Sequence, residues 1–142
     1  MKSIATLLTC LLTITVQAQI MNPVHFTSQL KALRGGEAEL LFTATIDPGW
    51  HVYSTGLGSD GPISATFNTV KMDGAETVGK LQTRGRELRQ FDKMFGMELR
   101  FFEKSVTFVQ KIRFTQPQYD IDCLADSSAR TVRPTYLRGT EW

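Results

Sequence analysis

Cysteine is scarce in this chain: Cys10 and Cys123 are the two it has in 142 residues. That excludes a fold stapled by several disulfides, the usual device of small secreted scaffolds. Histidine is equally scarce. His25 and His51 lie far apart in the sequence and, with so few cysteines, do not supply the four ligands of a structural zinc site. Neither a metal nor a cofactor is therefore expected. The phosphate-binding glycine loop of the P-loop type is missing, as is a Gly-x-Ser-x-Gly nucleophile elbow. Composition alone leaves a Ser-His-Asp triad open, but no motif supports a hydrolase. The formal charge is only +2 and no Lys/Arg run or basic stripe stands out, so nothing asks for a nucleic-acid partner. After the first eighteen residues no stretch is apolar for long enough to cross a bilayer, which takes about 20 residues.

What is present is the composition of a globular chain, 42% hydrophobic and 21% charged. The beginning differs from the rest. Lys2 is followed by an apolar run from Ile4 to Val16, and Val16-Gln17-Ala18 places small residues at the positions a signal peptidase reads. The run is short for a membrane anchor. We read residues 1–18 as a cleavable signal peptide and 19–142 as one domain, exported to the periplasm or secreted. Cys10 lies inside the apolar run rather than at the cleavage point, so no lipid anchor is expected. Cleavage leaves Cys123 alone: a buried inert thiol, a reactive thiol, or half of an intermolecular bond.

The pattern of the mature chain has period two. From Glu37 to Asp47 the even positions are Ala38, Leu40, Phe42, Ala44 and Ile46, and the odd ones are mostly polar. Asp47-Pro48-Gly49 is a turn, and Trp50 to Ser54 reads as the next strand. The glycine-rich segment from Gly56 to Pro62 is a loop, followed by a strand over Ile63 to Phe67 and a weaker one over Glu76 to Leu81. Arg84 to Lys93 reads as an extended loop. Met97–Phe102 and Val106–Phe114 read as a hairpin, with Gln110 the polar exception on the apolar face of the second strand. A first strand is expected in Val24 to Leu33. Six to eight short strands separated by turns predict an all-β protein, an antiparallel β-sandwich.

Two clusters invite a functional reading. Trp50, His51 and Tyr53 follow a turn and either pack or line a site. Asp92-Lys93-Met94-Phe95-Gly96 puts large apolar side chains in a polar loop, where they either plug the core or shield something. Around Cys123, Asp120, Asp122 and Asp126 disfavour the thiolate if they are close in space.

Taken in order, Thr45-Ile46-Asp47-Pro48-Gly49-Trp50-His51-Val52-Tyr53-Ser54, then Phe91 to Glu98, then Phe102-Glu103 and Val106 to Ile112, the chain resembles the N-terminal periplasmic domain of the thiol:disulfide interchange protein DsbD, in the form exported by Bacteroidetes-type bacteria. The resemblance spans Val24 to Phe114. It implies an immunoglobulin-like sandwich that relays reducing equivalents from a membrane-embedded donor to periplasmic thiol proteins, by exchange through mixed disulfides. It also implies a catalytic role for Cys123, a cap loop made by Asp92, Met94, Phe95 and Gly96, and site-lining roles for His51 and Tyr53. The C-terminal part departs from the family, which has a second cysteine shortly after the first. None follows Cys123. A mixed disulfide formed at Cys123 has no internal thiol to resolve it, so the relay is expected to be impaired. The alternative is a non-catalytic exported sandwich that binds a protein partner. Residues 115–142 are expected to be atypical, with poor order from Ala125 to Trp142.

Overall fold

The computed structural model describes residues 22–127, together with the backbone of 131–132 and 137–140. The signal-peptide reading and most of the C-terminal tail fall outside the described residues. Every strand pairing is antiparallel and there is no helix among the described residues, so the chain is an all-β sandwich.

One sheet runs in the order β1 (Val24–Ala32), β2 (Glu37–Ile46), β8 (Ser105–Phe114), β5 (Ala75–Arg84). Against it stands a sheet centred on β9 (Gln118–Asp126), with β4 (Thr66–Asp73) on one side and the short β10 (Thr131–Val132) and β11 (Leu137–Thr140) on the other. A third ribbon, β3 (Val52–Tyr53), β7 (Met97–Phe102) and β6 (Leu88–Asp92), extends one end.

The core follows from the period-two pattern. Ala38, Leu40, Phe42, Ala44 and Ile46 of β2 are all buried, and Val106, Phe108, Ile112 and Phe114 of β8 meet them. Ile121, Cys123 and Ala125 of β9 close the core from the facing sheet. Phe102, with no exposed surface, stacks edge-on against Phe108 at 6.5 Å between ring centres. On the solvent side of the first sheet a charge ladder crosses three strands. Glu37 accepts from Lys111 at 2.6 Å and from Arg113 at 3.2 Å, and Arg113 reaches Glu76 at 3.4 Å. Those two cations hold the Glu37 carboxyl below the usual carboxylate range.

Several expectations change against the structure. β7 and β8 do not form a hairpin with each other. β7 pairs with β3 and β6, and β8 with β2 and β5. The chain changes sheets at Glu103-Lys104, where Lys104 takes a positive φ of 68° and its carbonyl accepts from Ile46 N. Phe102 and Val106, on either side, both enter the core. The expected loop at Arg84 to Lys93 is instead the end of β5 and the whole of β6, a strand hydrogen-bonded along its length to β7. β6 escaped detection because it is mostly solvated, so its alternation is not hydrophobic. The strand expected at Ile63 begins only at Thr66, and Ile63 is exposed. Trp50 is 44% exposed rather than packed, and regular pairing after the turn is confined to Val52 and Tyr53.

The segment expected to be atypical contains a full strand, β9, up to Asp126. Beyond it, the expectation of poor order falls largely on residues outside those described.

Gln110 also finds its reason. Between Val78 and Gln82, β5 carries three residues opposite Gln110 alone, a wide irregularity in the ladder with β8. The buried Gln110 amide donates to Gly79 O at 3.3 Å and Lys111 O at 3.0 Å, so it satisfies a carbonyl the ladder leaves behind.

Candidate functional site

β6 and β7 form a hairpin whose turn is Lys93 to Gly96. Asp92 closes it. Its Oδ1 accepts from Met94 N at 2.8 Å and Phe95 N at 3.1 Å, and its carbonyl accepts from Gly96 N at 2.8 Å. Gly96 has a φ of 64°, which a side chain would strain. The turn therefore needs an acceptor at 92 and glycine at 96, and it leaves the residues between them to project. Met94 is 89% exposed and Phe95 37%. Phe91 on β6 is exposed as well. The four residues expected to make a cap loop do form one local unit. Neither Met94 nor Phe95 plugs the core.

Replacing Asp92 by alanine removes both side-chain bonds. It is expected to cost about 1 kcal/mol by urea denaturation. Amide exchange should speed up at Met94 and Phe95 and stay unchanged in β2 and β8.

His51 and Tyr53 meet the base of that hairpin. The His51 ring lies edge-on to Tyr53 at 4.9 Å and tilted over Phe101 at 5.2 Å. Together with Gln90, Asp92, Leu99 and Glu103 these rings line one hollow of about 190 Å³. Residues from β3, β6, β7 and the β7–β8 connection thus converge there, although forty positions of sequence separate the first pair from Asp92. The hollow is smaller than the ~300 Å³ at which small-molecule pockets usually begin, and suits a single side chain. Phe101, Gln90 and Glu103 were missed by reasoning from sequence. Phe101 left a signal in the sequence: two positions on from Leu99 in β7, it shares a face with it, and both line the hollow.

Cys123 is elsewhere. It stands mid-strand in β9, opposite Thr69 of β4, with no exposed surface. Burial, and then the charge of Asp122, push its thiol up to about 11. A thiol in that state is a poor nucleophile, because the thiolate is the reactive form. Cys123 does not line the hollow under the hairpin. The structure therefore brings His51, Tyr53 and Asp92 together and leaves Cys123 in the core. Among the described residues no group of histidine, cysteine and carboxylate side chains could hold a metal ion. A larger opening, about 610 Å³ between β4 and β5, is lined by Gln110 but by none of the residues expected to form a site.

Compared with family models, with curated proteins and with solved structures, the chain finds no match in any of the three.

Proposed function

We propose that this chain is an exported, immunoglobulin-like domain of the DsbD N-terminal type, which docks periplasmic thiol–disulfide proteins through the β6–β7 hairpin and whose dithiol relay is impaired. The observation that carries this reading is the convergence of His51 and Tyr53 with Asp92 around one hollow, at the foot of a turn that presents Met94 and Phe95. The resemblance assigns those same residues to a single site. An exposed apolar tip beside a side-chain-sized hollow is also the form of a surface that awaits a partner. Relay of reducing equivalents from a membrane-embedded donor takes two neighbouring thiols, and only Cys123 follows the leader. If a partner disulfide reaches Cys123 when β9 opens, the Cys123 thiolate attacks it, the partner's S–S bond breaks, and a mixed disulfide and one free partner thiol result. With no second cysteine in the exported chain, only that released partner thiol, reversing the step, can resolve it.

The full burial of Cys123 favours a second reading, a non-catalytic binding module. One experiment separates the two. Complexes are trapped under oxidising conditions in the periplasm and analysed by mass spectrometry, for the wild type and for Cys123→Ser. A disulfide-linked partner that disappears with Cys123→Ser supports the interchange reading. Equal recovery of a non-covalent partner from both supports the binding module. The double variant Met94→Ser, Phe95→Ser should lose the partner in either case. Both side chains are at least partly solvated, so its stability should change by less than about 1 kcal/mol. Undiminished capture by that variant would remove the hairpin from the docking surface.

A further inference from the structure

The hollow beneath the hairpin is built from two kinds of group. Its walls are the rings of His51, Tyr53 and Phe101, and its charged lining is Asp92 and Glu103. No lysine or arginine lines it. Oδ1 of Asp92 is committed to the turn, which leaves the second carboxylate oxygen for whatever enters. Aromatic faces attract a cation through their quadrupole, and carboxylates attract it by charge; a neutral or anionic group gains neither. We propose that this hollow is a receptor for one basic side chain, arginine or lysine, presented by a partner protein. This deepens the docking reading above and names what the partner brings.

The source of the cation follows from the rim. Met94 stands exposed on the turn that Asp92, a lining residue of the hollow, closes. It gains nothing from a small free cation, whereas a protein surface would cover it while its basic side chain fills the hollow. The planar guanidinium of arginine both stacks on rings and forks onto carboxylates, so arginine is expected to bind more tightly than lysine.

The test uses the intact mature protein and three probes followed by amide chemical shifts: acetyl-Leu-Arg-Leu-amide, the same peptide with glutamine in place of arginine, and methylguanidinium. The arginine peptide is expected to give saturable shifts at His51, Tyr53, Gln90 and Glu103. It should bind at least about tenfold more tightly than either other probe. Asp92→Asn keeps an oxygen to close the turn and removes the charge. Glu103→Gln changes an exposed residue. Each should weaken the peptide about threefold, and both together about tenfold, with the fold unchanged. Equal binding of the glutamine peptide, or no saturation by the arginine peptide, would overturn the receptor. Methylguanidinium binding as tightly as the arginine peptide would overturn the protein partner. The titration involves no thiol, so failure to find a mixed disulfide at Cys123 leaves its outcome untouched.

Discussion

Gly74→Ala is expected to destabilise the domain by about 3 kcal/mol or more, enough to lower its melting temperature by roughly 15 °C. Gly74 is where β4 of one sheet turns into β5 of the other. Its φ is 74°, a left-handed conformation that an L side chain adopts at a cost of about 1–2 kcal/mol. Space is the larger difficulty. A Cβ built there would collide with Gln118 O and meet the Tyr119 Cα at 3.0 Å. Both are backbone atoms at the start of β9, so relief requires β9 to shift against β4. The Gly74 carbonyl also accepts from Thr115 N at 2.9 Å and Gln116 N at 3.3 Å, so the turn fastens the β8–β9 connection as well. Gly79→Ala is the control. Its φ is 72° and nothing lies within 4 Å of the added carbon, so it carries the conformational cost alone. Urea denaturation should separate the two variants by about 2 kcal/mol. Equal losses would mean that the sheets meet less closely at Gly74 than the structure has them.

The strands with one wet and one dry face were legible from sequence because burial imposes alternation on them. β2 is the plainest case: each even position from Ala38 to Ile46 is in the core. What alternation cannot give is partnership. Met97–Phe102 and Val106–Phe114 alternate well and are joined by a short polar turn, as a hairpin would be, yet they belong to different sheets. A buried residue on each side of the turn is equally compatible with a strand folding back and with a strand crossing over. β6 was illegible for a different reason. Leu88-Arg89-Gln90-Phe91-Asp92 is held by main-chain bonds to β7 with little burial, and main-chain bonds leave no trace in side-chain chemistry.

The candidate site divides the same way. Asp92 and Gly96 were named from sequence as members of the cap loop that the resemblance implies; that Asp92 closes a turn and Gly96 supplies its positive φ is seen only in the structure. The meeting of His51 with Phe101 and Glu103 was not legible, since it arises from β3 lying beside β7. Cys123 could be read as a lone thiol near aspartates, with a buried inert thiol as one of three open readings; its place in the core selects that one for the isolated protein. Tyr119, Ile121, Cys123 and Ala125 alternate with Asp120, Asp122 and Asp126, a period-two signal that was overlooked, and it is this face of β9 that enters the core.

That placement makes Cys123 nearly inert in the isolated protein. At pH 8 a thiol pushed from 9.0 up to about 11 holds roughly a hundredfold less thiolate. With no exposed surface, it must also wait for β9 to open before a reagent can reach it. Labelling by an aromatic disulfide reagent is therefore expected to run at least about a thousandfold slower in native buffer than in urea-unfolded protein. The same group makes stability fall with alkali. Burial disfavours the thiolate in the folded state, so the contribution is fully present below the unfolded value near 9.0. It is lost as the pH rises from there toward about 11, because the unfolded chain releases its proton first. Cys123→Ala should flatten that part of the stability curve, beneath a constant loss from the small cavity it leaves. Stoichiometric labelling of the native protein at the unfolded rate would put the thiol at the surface. It would also return Cys123 to service as a spontaneous nucleophile, with no need for a partner to open the strand.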